Sequence, residues 1–345
     1  MASAAFTFEV DGPSGVRQVR VSSPDRVLWP QVGVTKADLA QYVVDVGGYI
    51  EGALADRPVT LQRFPDGVEG AAFYSKNPPR GVPEWVRTVD VTYPSGRRHA
   101  QLVLDEPAAV VWSVQMNTIT WHPWPVRSGD TDHPDELRID LDPQPGRGFA
   151  DAVEAALVLR DLLTELGLTG WVKTSGNRGV HVFARIRPDR EFLDVRHAVI
   201  GIGRELERRL PDLVTMAWWK EERGEKIFFD FNQNNRDRTI ASAYSPRPLP
   251  HAPVSMPVSW QDLPDVDPAD FTVRTVPGLV AAQGDPWAGI DEKVGDLGAA
   301  HELWQADLDR GLGELAFPPD YPKMPGEPPR VQPSRKRVVA DASGG

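Results

Sequence analysis

No cysteine occurs among the 345 residues. Disulfides, zinc–thiolate centres and thiol nucleophiles are therefore excluded, and the composition fits a cytoplasmic protein. No run of 18 apolar residues occurs either, so no membrane-spanning helix is expected. The opening Met1-Ala-Ser-Ala-Ala-Phe6 lacks the basic and apolar regions of a signal peptide. The common nucleotide and hydrolase signatures are missing: no Gly-x-x-x-x-Gly-Lys-Ser/Thr loop, Gly-x-Gly-x-x-Gly turn, His-Glu-x-x-His site or Gly-x-Ser-x-Gly elbow. Positive charge is scarce: 38 Lys and Arg against 49 Asp and Glu leave a net charge of −11. That balance argues only weakly against a nucleic-acid partner, because phosphate binding depends on local patches. Basic residues do gather, at Arg17, Arg20, Arg26 and Lys36 and again at Arg80, Arg87, Arg97 and Arg98, as a patch or as scattered surface charge.

Three segments carry chemistry: Arg138-Ile-Asp-Leu-Asp142, Thr174-Ser-Gly-Asn-Arg-Gly-Val-His181 and Lys226-Ile-Phe-Phe-Asp230. On a strand, Asp140 and Asp142 point to one face, roughly 7 Å apart, while Ile139 and Leu141 point into a core. Asp is a poor strand former, so two on one face need a reason. Oxygen ligation of a hard divalent ion is one; a structural ion pair is the alternative. Strict alternation puts Asp230 on the face of Phe228 and Asn232, away from Phe229 and Phe231. Ser175–Gly179 joins two strands as a turn whose glycines can aim N–H groups at an anion. Ser175 adds a hydroxyl and Arg178 a bidentate phosphate ligand; an ordinary hairpin turn would use the same residue types. His122, in Trp121-His-Pro-Trp124, either reaches a sugar or phosphate or packs between tryptophans. Together these features point to metal-dependent phosphoryl transfer.

Around them the chain reads as α+β. A strand pair is expected over 5–22, a helix capped by Thr35 and running to about Leu54, a strand over 59–64, a hairpin with its tip at 94–97, a helix opened by Pro107 and a short strand over 119–122. Then come strand 137–142, helix 149–166, strands 170–174 and 180–186, helix 194–210 and strand 226–231. Residues 247–268 read as a Pro-rich extended wrap, 296–315 as a helix, and the tail from Pro325 as disordered. One domain over 1–324 is expected, with an N-terminal part to about 105, a core over 106–265, a wrap and helix over 266–324, and a tail over 325–345.

The motifs resemble the archaeo-eukaryotic primase superfamily, and more closely the polymerase domain of bacterial ligase D and its free-standing primase-polymerase relatives. The resemblance covers roughly residues 20–265 through Pro24-Asp-Arg-Val-Leu-Trp-Pro30, Phe73-Tyr-Ser-Lys-Asn77, Trp121-His-Pro-Trp124, Leu137–Pro143, Lys173–His181, Lys226–Asp230 and Ala243-Tyr-Ser-Pro-Arg247. It implies a primase-polymerase core, an RRM-like mixed sheet with flanking helices, beside an N-terminal mixed α/β subdomain. It also implies a templated repair polymerase that extends a primer 3′-hydroxyl at a gap or break in DNA bearing a 5′-phosphate, with NTP or dNTP as substrate and ribonucleotides preferred. By resemblance, Asp140, Asp142 and Asp230 bind two divalent ions, Mn²⁺ or Mg²⁺; Ser175, Arg178, His181 and Arg247 hold the triphosphate; His122 and Gln233 lie near the sugar. Phe73 and Tyr74 stack on template bases, Lys76 and Arg63 follow the backbone, and Arg26 and Lys36 take the 5′-phosphate. Ser23 and Arg26 replace the Asn and Lys more usual there, Gln62 a basic residue, and Asn77 a His.

A Lys-x-Asp-Gly ligase motif is missing, so a free-standing enzyme working with a separate ATP-dependent DNA ligase is expected, at the bacterial nucleoid and without a membrane partner. Two rivals stay open: a metal-dependent nuclease or phosphoesterase using the same acids, and a module that binds and bridges DNA ends, for which the loop near Arg97 and Arg98 is a candidate.

Overall fold

Alternation of apolar and polar residues along one strand organises the molecule. A computed structural model describes residues 5–13, 15–93 and 95–315. In the Glu136–Pro143 strand, Leu137, Ile139 and Leu141 are wholly buried, against the helices Phe149–Glu165 and Phe192–Arg209. The other face carries Glu136, Arg138, Asp140 and Asp142 and changes from buried to exposed along its length. This strand lies inside a six-stranded sheet ordered Val214–Thr215, Ile227–Asp230, Glu136–Pro143, Val180–Arg185, Trp171–Thr174, Pro257–Val258. All its pairings are antiparallel except the first.

A second sheet of five strands contains Phe73–Ser75, Pro58–Arg63, Arg98–Val103 and Arg87–Thr92, with Thr118–Pro123 also paired to Pro58–Arg63. It closes over the buried end of the acidic face. Arg138 reaches across to donate to the carbonyls of Pro123 (2.6 Å) and Trp124 (3.0 Å), so the mouth between the sheets opens at the Asp140–Asp142 end. The first part of the chain is also tied to the residues that flank the short strand Ser245–Pro246 of a separate two-stranded sheet: Tyr42 donates to the Tyr244 carbonyl at 2.7 Å and Trp29 to that of Arg247 at 3.3 Å.

The expected mixed α+β architecture is present, with local differences that have physical causes. The helix expected from Thr35 to Leu54 is two helices, Lys36–Asp45 and Gly47–Leu54. Thr35 does cap the first, in a capping box with Asp38; the break falls at Gly47, where the missing Cβ admits Pro107 of the helix Pro107–Gln115. The strand expected to 231 ends at Asp230, whose carboxylate accepts the Asn232 N–H at 2.9 Å and caps a 3-10 turn, Phe231–Asn234. Asn232 therefore lies in that turn and not on the strand face. The Pro-rich wrap supplies an edge strand, Pro257–Val258, and is followed by an unanticipated helix, Val276–Gln283. The last helix spans Gly298–Asp309 and stops before Gly311. The expected tail at 325–345 lies outside the described residues.

Candidate active site

The register of the six-stranded sheet lines up four polar side chains in one transverse row. Lys173 is paired with His181, His181 with Asp140, and Asp140 with Asp230. One row along, Asp142 is opposite Phe228. Because pairing partners share a face, two acids from one strand and one from its neighbour meet at the open end of the polar face. Their contacts are ordered. His181 Nε2 lies 3.5 Å from Asp140 Oδ1, and Lys173 Nζ 2.7 Å from His181 Nδ1. Asp142 accepts from Gln144 at 3.1 Å. Asp230 is held from two directions, by the Asn232 N–H and by the Gln233 amide at 2.8 Å. Gln233, expected beside a sugar, is thus bonded to an acid.

The turn Ser175–Gly179 hangs over the end of this row. Gly176 has φ +75°, and a Cβ there would lie 2.5 Å from Cγ of Arg247, so glycine is needed for the turn and for the arginine. The anion nest expected from the glycines is partly closed: Ser175 Oγ accepts the N–H groups of Asn177 (3.2 Å) and Gly179 (3.1 Å). What the turn offers outward is the Ser175 hydroxyl proton and Arg178, which with Asn177 and His251 lines a cavity of about 230 Å³. Arg247 sets its charge against Asp140.

The second sheet supplies the facing wall. His122 is buried; Nε2 lies 3.3 Å from Gln62 Oε1, and Nδ1 is buried with no hydrogen-bond partner among the described residues. Its ring meets Tyr74 edge-on at 5.4 Å. Phe73 and Tyr74 are exposed large aromatics on the edge strand. The Arg63 guanidinium lies 4.9 Å from the Phe73 ring and donates to the Met116 carbonyl at 2.9 Å. Lys36 donates to the neighbouring Gln115 carbonyl at 2.6 Å, and its own N–H donates to the carbonyl of Arg26. The short hairpin of Val27–Trp29 with Val34–Thr35 thereby gathers Arg26, Lys36 and Arg63. Lys76 is held by Asp237, both carboxylate oxygens lying 2.8 Å from Nζ.

Burial and mutual repulsion shape the charges. Burial, then Asp230 and Asp142, push the Asp140 carboxyl up to about 8. Burial also raises Asp230 and lowers Lys173 and His181. Among the described residues, no three acidic or imidazole groups are gathered closely enough to hold an ion as they stand. The donor set nevertheless fits a hard divalent cation. It is all oxygen, in register on adjacent strands, and its crowded like charge is what a dication would relieve.

Sequence reasoning assigned no role to Lys173, Asn234, Asp237 or Ser255. Lys173 was within reach: the two-residue period puts it on the face of Ser175. The other three depend on loops folding back.

An α+β fold whose sheet carries clustered acids, with a Gly-rich turn over one end and an aromatic wall facing it, is that of a nucleotidyltransferase of the primase-polymerase class. Residues 35–287 match the family model for the LigD primase-polymerase domain, and the chain belongs to that family. It is 30% identical to the multifunctional non-homologous end joining protein LigD of Mycolicibacterium smegmatis, over 81% of this chain and 37% of that protein. To the protein of the same name in Pseudomonas aeruginosa it is 31% identical, over 86% and 34%. The chain thus spans little more than a third of the length of these curated relatives. The polymerase domain of Mycobacterium tuberculosis ligase D, solved in complex with DNA, superposes with a TM-score of 0.73 at 30% identity, covering 79% of this chain and 98% of that one.

Proposed function

We propose that this protein is a template-dependent repair polymerase. It adds nucleotides, ribonucleotides by preference, to a primer 3′-hydroxyl at short gaps or breaks that carry a 5′-phosphate. The observation that carries this reading is the transverse row ending in Asp140 and Asp230, set between a turn suited to a triphosphate and a wall suited to a template. Asp140, Asp142 and Asp230 would hold two divalent ions, Mn²⁺ or Mg²⁺, which when bound supply Lewis acidity at the attacking and leaving oxygens. The chain's own groups do the rest. Ser175, Arg178, His181 and Arg247 bind and orient the triphosphate. His122, with its unpartnered Nδ1, meets the sugar. Gln233 steadies Asp230. Phe73 and Tyr74 stack on template bases, a contact worth ~1–3 kcal/mol per base; Arg63 follows the backbone, and Lys76 does so only where a phosphate displaces its Asp237 partner. Arg26 and Lys36 take the 5′-phosphate, which explains how an acidic protein holds DNA.

The relatives' role in end joining makes repair of breaks the leading cellular setting, with excision gap filling beside it. Either product is a nick, so a separate ATP-dependent ligase is the expected partner, at nucleoid DNA in the cytoplasm. No helix of the described residues is long and apolar enough to cross a membrane.

The test supplies Mn²⁺, labelled nucleotides and a duplex with a one- to three-nucleotide gap bearing a 5′-phosphate, beside the double variant Asp140→Ala, Asp142→Ala. Templated extension by the wild type alone is expected, and Mn²⁺ should raise the melting temperature of the wild type but not of the variant. Shortening of the DNA would favour a nuclease instead; binding without extension would favour an end-bridging module.

A further inference from the structure

Lys173 is completely buried, a rare place for a lysine unless it is paired with an acid. Among the described residues it forms no ion pair with a carboxylate, and its Nζ meets two neutral side chains. One is Ser255 Oγ. Ser255 gives its only proton to the Thr174 carbonyl at 2.7 Å, so toward Lys173 it can only accept. The other is His181 Nδ1, at 2.7 Å. At the far edge of the same ring, Nε2 faces Asp140 Oδ1 at 3.5 Å. Lysine has a hydrogen to give in either charge state, and Asp140, once a bound dication relieves the crowding that holds its proton, has lone pairs and no hydrogen. Both edges of the imidazole therefore call for one arrangement: a lone pair on Nδ1 and a hydrogen on Nε2.

We propose that Lys173 is a positioning residue that locks His181 in the Nε2–H tautomer, so that the ring presents a donor to a bound triphosphate; the triphosphate part rests on the function proposed above. Ser255 anchors the lysine from the other side, and the Thr174 carbonyl anchors Ser255. The opposite tautomer would turn a lone pair toward Asp140 and toward phosphate oxygens, repelling both. Lys173 itself does not reach the substrate; its effect passes through His181.

The tautomer can be read without turnover. In the full-length protein with Mg²⁺, labelled with ¹⁵N-histidine, the His181 signals among the seven histidines are assigned with His181→Ala. The expected wild-type pattern is Nε2–H, and Lys173→Met should lose it to a mixture or to Nδ1–H. In primer extension, Lys173→Met should raise the nucleotide KM about 10- to 100-fold, the loss of one hydrogen bond to a charged group. Lys173→Gln, which keeps a donor, should recover part of it. Lys173→Met combined with His181→Ala should be no worse than His181→Ala alone. A wild-type His181 carrying its proton on Nδ1 overturns the proposal, as does a folded Lys173→Met protein with unchanged tautomer and KM. If Lys173→Met does not fold, Ser255→Ala takes its place. A locked Nε2–H in a protein that extends nothing would sink the polymerase reading and leave the tautomer assignment standing.

Discussion

Asn234 and Arg138 share a pair of hydrogen bonds that continues the sheet after a strand has ended. The Arg138 N–H donates to Asn234 Oδ1 at 2.9 Å, and Asn234 Nδ2 donates to the Arg138 carbonyl at 2.6 Å. With Asp140 opposite Asp230, the ladder would next pair Arg138 with residue 232, but the chain has already turned away there. The side-chain amide of Asn234 stands in for the missing strand residue. It ties the turn that follows Asp230 to the strand that carries Asp140 and Asp142.

Asn234→Ala removes both bonds and leaves a buried N–H and C=O unpaired. The expected cost is about 1–3 kcal/mol per unpaired group, visible as a lower melting temperature. At a temperature where the variant is still folded, single-turnover extension should fall at least tenfold while affinity for a 5′-phosphorylated gap stays unchanged. Equal losses in both would mean that Asn234 supports the fold and not the spacing of the acids.

With Lys36 as the proposed ligand of the 5′-phosphate, recognition of that group would depend on pH. Burial, then the neighbouring charges of Arg26 and Arg63, lower its pKa to about 8. A group so depressed keeps its proton below about pH 8 and loses it as pH rises through that value. Below its ordinary range the folded protein binds this proton less tightly than the unfolded chain does, so charged Lys36 costs stability. A bound phosphate offsets that cost. The preference for a 5′-phosphorylated over a 5′-hydroxyl gap should therefore be full at pH 7 and drop between pH 8 and 9. Lys36→Met should show a weak preference at every pH. Titration of binding by fluorescence anisotropy checks this, and a wild-type preference that is flat to pH 9 counts against Lys36 as the phosphate ligand.

His122 should behave in the opposite way. Burial, then Arg247, Lys173 and Arg138, lower its pKa to about 3, so it stays neutral throughout the working range. Choice between ribo- and deoxyribonucleotides, if His122 makes it, is expected to be independent of pH from 6 to 8. His122→Ala should reduce that choice about tenfold, the worth of one hydrogen bond to a hydroxyl. Competition between the two nucleotide types at a single templated position measures it. An unaltered ratio in the variant would assign His122 to packing against Tyr74.

Much of the six-stranded sheet was legible in the sequence because alternation is a local signal. Leu137, Ile139 and Leu141 against Asp140 and Asp142 declare two faces without knowledge of a partner. The hairpin about Ser175–Gly179 likewise declares which residues stand opposite each other. Contacts across long stretches of chain were not legible. Nothing near Asn234 announces that it will occupy a strand position beside Arg138. Nothing near Ser255 announces that it will hold Lys173. Gln233 shows the limit of placement by motif: its position in the chain was anticipated, but its bond to Asp230 arises from the 3-10 turn, which alternation read as continuing strand.

Lys76 shows the same limit, with a measurable consequence. As a bare lysine beside Phe73 and Tyr74 it reads as a contact to the template backbone. In the fold both oxygens of Asp237 lie 2.8 Å from its ammonium. Asp237 is almost fully buried and has φ +66°, and burial raises its carboxyl above the usual range. The Lys76 charge is therefore largely cancelled until DNA competes for it. Asp237→Asn keeps the shape and a hydrogen-bonding side chain but removes the opposing charge. Template affinity should then rise about three- to tenfold at low salt, and the dependence of log affinity on log salt should steepen by about 0.7–0.9, the contribution of one additional phosphate contact. Lys76→Met should shift neither quantity by more than twofold in the wild-type background, yet should erase the whole gain in the Asp237→Asn background. That non-additivity separates a masked phosphate ligand from a plain structural pair, for which Asp237→Asn would only lower the melting temperature.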